Sequence, residues 1–227
     1  MRNIIVLEDN KDISKILTNI LLKEGYNVFP SFNAFDALND FKNNHIDCIL
    51  TDLMLPIMSG EEFIQEIRKD SNVHIIIISA KTTSPDKIEG LKKGADDYLF
   101  KPFLEEEVII KLENLFNKKD FKENITTFNK KEIVFQEGKT HIVINNETIS
   151  LTSVEYQMLR LLIQENNKVI TREQFLDMLY TFDDEVFDRV VDVHIRNIRK
   201  KIKTIYDKEL IKTVYGLGYS FIGEMDE

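Results

Sequence analysis

Ile46-Asp47-Cys48-Ile49-Leu50-Thr51-Asp52-Leu53-Met54-Leu55-Pro56 is the stretch on which the reading of this chain turns. A short, almost wholly apolar run ends on a carboxylate, and Pro56 and Gly60 then impose a loop before the amphipathic residues 61–69. An apolar run of this length between turn signals reads as a parallel strand buried on both faces. In open α/β sheets, ligands sit beyond the carboxyl ends of such strands, which is where Asp52 stands. An aspartate there can also simply cap the next helix, so its neighbours decide.

Outward from that strand the first half repeats one pattern. Asn3-Ile4-Ile5-Val6-Leu7 is a second apolar run ending on acids, Glu8-Asp9. Ile13, Ile16, Leu17, Ile20 and Leu21 follow with helical spacing, and Gly25 supplies a C-cap. Residues 26–30 read as a strand, 34–41 as a helix, 73–78 as a strand ending on Ser79, and 86–92 as a helix stopping at Gly94. Residues 97–100 make a fifth strand ending on Lys101-Pro102, and 104–116 the last helix. Five β/α units in about 118 residues predict a five-stranded, doubly wound parallel sheet.

One end of that sheet collects Glu8, Asp9, Asp52, Ser79 and Lys101. Three carboxylates in one crevice repel one another unless a cation intervenes, and oxygen donors suit a hard divalent ion such as Mg²⁺. A carboxylate beside such an ion, faced by a lysine and a hydroxyl, is equipped to attack a phosphoryl donor. The alternative for Lys101 is a strand-end lysine lying along the surface, and for Tyr98 plain edge-strand packing.

Glu8-Asp9, Asp52-Leu-Met-Leu-Pro56 with Gly60, Ser79-Ala80-Lys81, Gly94-Ala95-Asp96-Asp97-Tyr98 and Lys101-Pro102-Phe103 together resemble the receiver domains of two-component response regulators. The resemblance implies a flavodoxin-like receiver in which Asp52 is the phosphoacceptor. Asp9 and Asp52 would bind Mg²⁺ directly, the Met54 carbonyl would be a third ligand, and Glu8 would act through water. Lys101 would pair with the acceptor or its phosphate ahead of a cis Pro102. Ser79 and Tyr98 would be the switch residues. The family dimerises through its fourth helix, fifth strand and fifth helix, which here would set Lys87 against Glu107 and Asp96 against Lys111. Asn10 stands where many members have a third acid.

Residues 119–124 are polar and aperiodic, a linker between a domain at 1–118 and a second at 125–227. There, short β-rich pieces (125–128, 132–136, 140–144, 148–150) with turns at Glu137-Gly138 and Asn145-Asn146 predict an antiparallel sheet. Thr152–Glu155 and Thr171–Gln174 read as capping boxes opening two helices, and 181–185 as an acidic loop. In residues 188–205, Val191, Ile195, Ile198, Ile202 and Ile205 form a buried stripe. Arg189, Val193, Arg196, Asn197, Lys200 and Lys203 lie opposite. Six basic residues and one acid between 189 and 203 stand out in a chain of net charge −9. Such a face is either solvated or fits the major groove of DNA.

A hairpin around Gly216-Leu217-Gly218-Tyr219 follows the helix, as in a winged helix-turn-helix. Asp188-Arg189-Val190-Val191-Asp192-Val193-His194-Ile195 and Thr213-Val-Tyr-Gly216-Leu-Gly218-Tyr219 resemble the OmpR/PhoB class of output domains. That resemblance implies a transcriptional regulator binding double-stranded promoter DNA through the helix face, Gly216, Gly218 and Tyr219. Its partners would be a sensor histidine kinase, RNA polymerase and a second copy of itself after phosphorylation. Tyr215 and Ser220 stand where many members carry basic residues, and Asn197 where arginine is common.

The single cysteine, Cys48, lies in the apolar strand and fits a buried, inert thiol in a reducing compartment. The four histidines have no metal-ligand spacing. With no leader-like start and no apolar run long enough to span a bilayer, a cytoplasmic protein that is not membrane-bound is expected. A haloacid-dehalogenase-like hydrolase would also use a strand-end aspartate, but it needs a second acid two residues on, where Met54 stands. A receiver indifferent to phosphate and an adaptor that ignores DNA are the other readings.

Overall fold

The computed structural model describes residues 1–80, 90–116, 125–129, 132–136, 141–179 and 189–226. The chain divides into two compact units, Met1–Lys118 and Lys119–Glu227. The expected linker 119–124, the turn at Glu137-Gly138, the acidic loop 181–185, Lys87 and the side chain of Arg189 lie outside the described residues. Among those described, no helix is long and apolar enough to cross a membrane.

In the first unit, β1 (Asn3–Leu7), β2 (Asn27–Ser31), β3 (Cys48–Thr51), β4 (His74–Ser79) and β5 (Asp97–Phe100) form one parallel sheet in the order β2-β1-β3-β4-β5. The helices are α1 (Lys11–Lys23), α2 (Ala34–Asn43), α3 (Gly60–Arg68) and α4 (Glu105–Phe116), with a helical turn at 90–92 before Gly94. The central strands are buried on both faces because both carry helices. Leu17, Ile20 and Leu21 of α1 and Val108 and Leu112 of α4 pack with Ile4, Val6, Cys48 and Leu50. That burial pushes the Cys48 thiol well above its ordinary range, so it is inert packing. Asn10 caps α1, and Ser59 and Glu62 close a capping box at α3. After β1 the chain goes to one side of the sheet and after β2 it returns to the other, so the crevice of this fold opens beyond β1 and β3.

In the second unit, β6 (Ile125–Phe128), β7 (Ile133–Gln136), β8 (His141–Ile144) and β9 (Glu147–Ser150) make an antiparallel meander. Asn145 and Asn146, at φ 50 and 66, form the two-residue hairpin turn between β8 and β9. Then come α5 (Ser153–Gln164), β10 (Ile170–Thr171), α6 (Arg172–Leu179), α7 (Arg189–Lys203) and the hairpin β11 (Ile211–Val214) and β12 (Gly218–Phe221). Both capping boxes form: Thr152 with Glu155, and Thr171 with Gln174. The unpredicted strand is β10, which pairs with β12 and turns the hairpin into a three-stranded sheet. Val191, Ile195, Ile198 and Ile202 of α7 share one core with Met158, Leu162, Phe175 and Phe221. This is a winged-helix arrangement.

Candidate functional site

The ends of β1, β3 and β5 bring Glu8, Asp52 and Lys101 together. The Lys101 ammonium lies 2.5 Å from Asp52 Oδ2 and 2.6 Å from Glu8 Oε2. The Asp52 amide donates to the Leu7 carbonyl at 2.9 Å, which ties β3 to β1 at the acceptor itself. The Met54 amide donates to Asp52 Oδ1 at 3.0 Å and fixes the carboxylate's rotation. Burial pushes the Glu8 carboxyl above its ordinary range, against the hydrogen bond and charge of Lys101. Burial alone would lower Lys101, but its hydrogen bonds to Asp52 and Glu8 outweigh that and raise it. The lysine is therefore held as a cation.

Gly60 is what lets α3 start so close to this site. A Cβ on it would stand 2.0 Å from the Asp52 carbonyl oxygen, so only glycine fits. Glu8, Asp9 and Asp52 hold ligating oxygens within 4.8 Å of one another. An all-carboxylate set with two buried members and one exposed fits a hard divalent cation that keeps some of its water. Ser79 closes β4, and its carbonyl accepts from the Lys101 amide at 2.9 Å. Tyr98 is buried against Phe100, ring centroids 4.9 Å apart, and is no half-exposed edge residue. The Lys101-Pro102 bond is cis.

Within the chain, the expected dimer-face residues Asp96 and Lys111 have separate partners. Asp96 is 1 % exposed; it accepts from Arg68 Nη2 at 2.7 Å and from the Ile75 amide at 3.0 Å. Lys111 instead holds both oxygens of Asp97, at 3.0 and 2.9 Å. Successive residues of extended chain face opposite sides of a sheet, so Asp96 meets α3 and Asp97 meets α4. Glu107 accepts from the Leu104 amide at 3.0 Å and so caps its own helix.

In the second unit the structure divides the charge of α7. Arg196, Lys200 and Lys203 are exposed and Asn197 half-exposed. Arg199, by contrast, is tied to the hairpin through the Ile211 carbonyl at 2.6 Å and Thr213 Oγ1 at 2.9 Å. Lys201 reaches the buried Glu155 at 2.7 Å. Helical spacing counts these two among the basic residues but cannot see that the domain already uses them.

Three residues expected at the DNA are buried within the unit. Val193 is only 6 % exposed, because the first half of α7 is enclosed on several sides. Tyr219 is in the core: its hydroxyl donates to Asp192 Oδ1 at 2.6 Å, and the Arg172 and Arg199 guanidiniums flank its ring. Gly218 is buried against β10, where a Cβ would stand 2.0 Å from the Ile170 carbonyl oxygen. Gly216, at φ 74, stays at the exposed turn, between Tyr215 and Leu217, both of which point to solvent. Ser220 is buried, so a basic residue is not missed there.

Residues 4–113 match the response regulator receiver domain family, and residues 146–221 match the family described as transcriptional regulatory protein, C terminal. The response regulator ArlR of Staphylococcus aureus is 36% identical over 219 residues, spanning 96% of this chain and 99% of ArlR. DrrB of Thermotoga maritima, an OmpR/PhoB homologue, superposes with a TM-score of 0.53 at 28% identity, over 98% of this chain and 100% of DrrB. A RitR mutant superposes with a TM-score of 0.75 at 27% identity, over 98% and 99%. With an acid crevice closed by a lysine in one unit and a winged helix in the other, this chain belongs to the OmpR/PhoB-type response regulators, a receiver domain joined to a DNA-binding transcriptional regulatory domain.

Proposed function

We propose that Asp52 accepts a phosphoryl group from a sensor histidine kinase and that the aspartyl phosphate drives dimerisation and binding to paired promoter half-sites. The observation that carries this reading is the Lys101 ammonium held between Asp52 and Glu8 at the mouth of β1 and β3. An Asp52 oxygen attacks phosphorus, the bond to the donor nitrogen breaks, and the neutral imidazole leaves. Mg²⁺, held by Asp9, Asp52, the Met54 carbonyl and, through water, Glu8, would offset charge on the transferring oxygens. Lys101 moves from the carboxylate to a phosphate oxygen, and Ser79 turns its hydroxyl to another in front of Tyr98, which is already buried. The protein is a regulator whose own chemistry is confined to this one aspartate.

Two copies then present two α7 helices to two half-sites. Arg196, Lys200 and Lys203 would meet phosphates or guanine, and Asn197 adenine. Bound at a promoter in the cytoplasm, the dimer would act on RNA polymerase. Phosphoramidate and Mg²⁺ test the first step, with phosphoprotein gels and light scattering as readouts. Wild type should take one phosphate and double its mass, and Asp52→Ala should do neither. Equal labelling of both proteins, or a labelled protein of unchanged mass and DNA affinity, defeats the proposal.

A further inference from the structure

His74 opens β4 at the end of the sheet away from Asp52. It is 8 % exposed, yet its Nδ1 has no hydrogen-bond partner among the described residues. Charged groups face it from each neighbouring element: Arg68 from the end of α3, Asp96 from the turn before β5, Asp97 from β5 and Lys111 from α4. Cys48 of β3 is its register partner. The nearest acid is Asp96, whose Oδ2 lies 3.8 Å from His74 Nδ1.

That oxygen is already engaged. Arg68 Nη2 donates to it at 2.7 Å and the Ile75 amide at 3.0 Å, which fills both of its lone-pair positions. Arg68 also donates to the Gly94 carbonyl at 2.8 Å and to the Val73 carbonyl at 2.6 Å. One guanidinium therefore clamps the end of α3, the chain entering β4 and the turn entering β5, with Asp96 as its ionic partner.

A neutral imidazole leaves this clamp undisturbed. A charged one needs an acceptor for its Nδ1–H, and it gains Asp96 Oδ2 only by displacing Arg68 or the Ile75 amide. We infer that His74 is an acid-operated release for the clamp: a proton taken from solvent draws Asp96 to the imidazole and frees the turn that leads into β5, the strand that ends at Lys101. Burial pushes the imidazole below its ordinary range, against the pull of Asp96 and Asp97, so the clamp is closed at neutral pH. In the open form His74 is hydrated and returns to its ordinary value of about 6.5, so opening is favoured as pH falls below that value.

The Ile75 amide reports on the clamp, because its acceptor is the Asp96 carboxylate itself. Its hydrogen exchange is followed by NMR in the full chain and corrected for the intrinsic effect of pH. The amides of β1 and β3 serve as the reference for global unfolding. Between about pH 7.5 and about pH 5.5 the opening of Ile75 should rise about tenfold in wild type, the gain expected when a group of ordinary value 6.5 charges only in the open form. The β1 and β3 amides should not follow. His74→Leu and His74→Gln carry no proton to this site, and in whichever of them folds the Ile75 amide should be indifferent to pH. A wild-type Ile75 amide that does not respond to acid overturns the inference. So does an equal rise in a folded variant, which would place the proton elsewhere, or a rise shared by β1 and β3, which would be unfolding of the whole receiver.

Discussion

One ammonium, Lys101 Nζ, sits 2.5 Å from Asp52 and 2.6 Å from Glu8, and so holds two carboxylates that would otherwise repel each other. Lys101→Met should therefore destabilise the receiver unit by about 2–3 kcal/mol at neutral pH, somewhat less than for a fully enclosed pair. Lys101 is raised in the folded state, so its contribution is complete below its ordinary value and fades as pH rises through the folded one. The gap between wild type and variant should therefore close in strong alkali. Urea titrations across pH measure it.

Glu8 gives the opposite variant. Its carboxyl is raised by burial, so the folded state disfavours its charge and this cost is felt once pH exceeds the ordinary carboxylate value. Without divalent cation, Glu8→Gln should melt above wild type at neutral pH, and the two should converge as pH falls through the carboxylate range. Added Mg²⁺ should favour wild type instead, by about 1.4 kcal/mol at ten times its Kd. Asp9→Asn should lose most of that gain.

Gly60→Ala puts a methyl group 2.0 Å from the Asp52 carbonyl oxygen, and backbone has nowhere to yield cheaply. The receiver should lose about 3 kcal/mol, the upper range for overpacking. Phosphoramidate labelling should slow with it, because the displaced group carries the acceptor. A variant as stable and as fast as wild type would mean that α3 can slide.

How much of this was legible beforehand depended on the reach of the signal. Apolar runs at β1, β3 and β4, and acids or a hydroxyl just past them, placed Glu8, Asp52 and Ser79 at one end of the sheet because strand ends are local features. The capping boxes at Thr152 and Thr171 were legible for the same reason. The pairing of Asp96 with Arg68 was not, because it depends on which of two adjacent aspartates faces α3. Likewise the spacing of residues puts Tyr219 at the DNA and counts Arg199 and Lys201 only towards the positive charge of α7. Their actual partners, Asp192, the Ile211 carbonyl and Glu155, lie up to 46 positions away. The two-residue strand β10 was too short to leave a pattern.

Tyr219 offers a test in alkali. Burial and its bond to Asp192 push the phenol up to about 12 from 10.0. The unfolded chain therefore ionises first, and the winged-helix unit should lose stability as pH climbs from 10 towards 12. Tyr219→Phe should cost about 2 kcal/mol at neutral pH, the range for a hydrogen bond to a charged group. It should also flatten that alkaline decline, which denaturant midpoints at several pH values would show.

The last prediction concerns which positive charges of α7 are free to meet a phosphate. Arg196 and Lys200 are exposed, so Arg196→Ala or Lys200→Ala should each lower the salt slope of DNA binding by about one unit per lost phosphate contact. The fold should be unaffected. Lys201 carries the same charge one position further on, yet its ammonium is 2.7 Å from the Glu155 carboxylate, whose side chain is almost fully buried. Lys201→Met should leave the salt slope unchanged and cost about 2 kcal/mol of stability, since Glu155 is left without its cation. Titrations at several salt concentrations, paired with urea melts, separate the two effects. A salt slope that falls with Lys201→Met would place that lysine on the DNA and send Glu155 elsewhere for its partner.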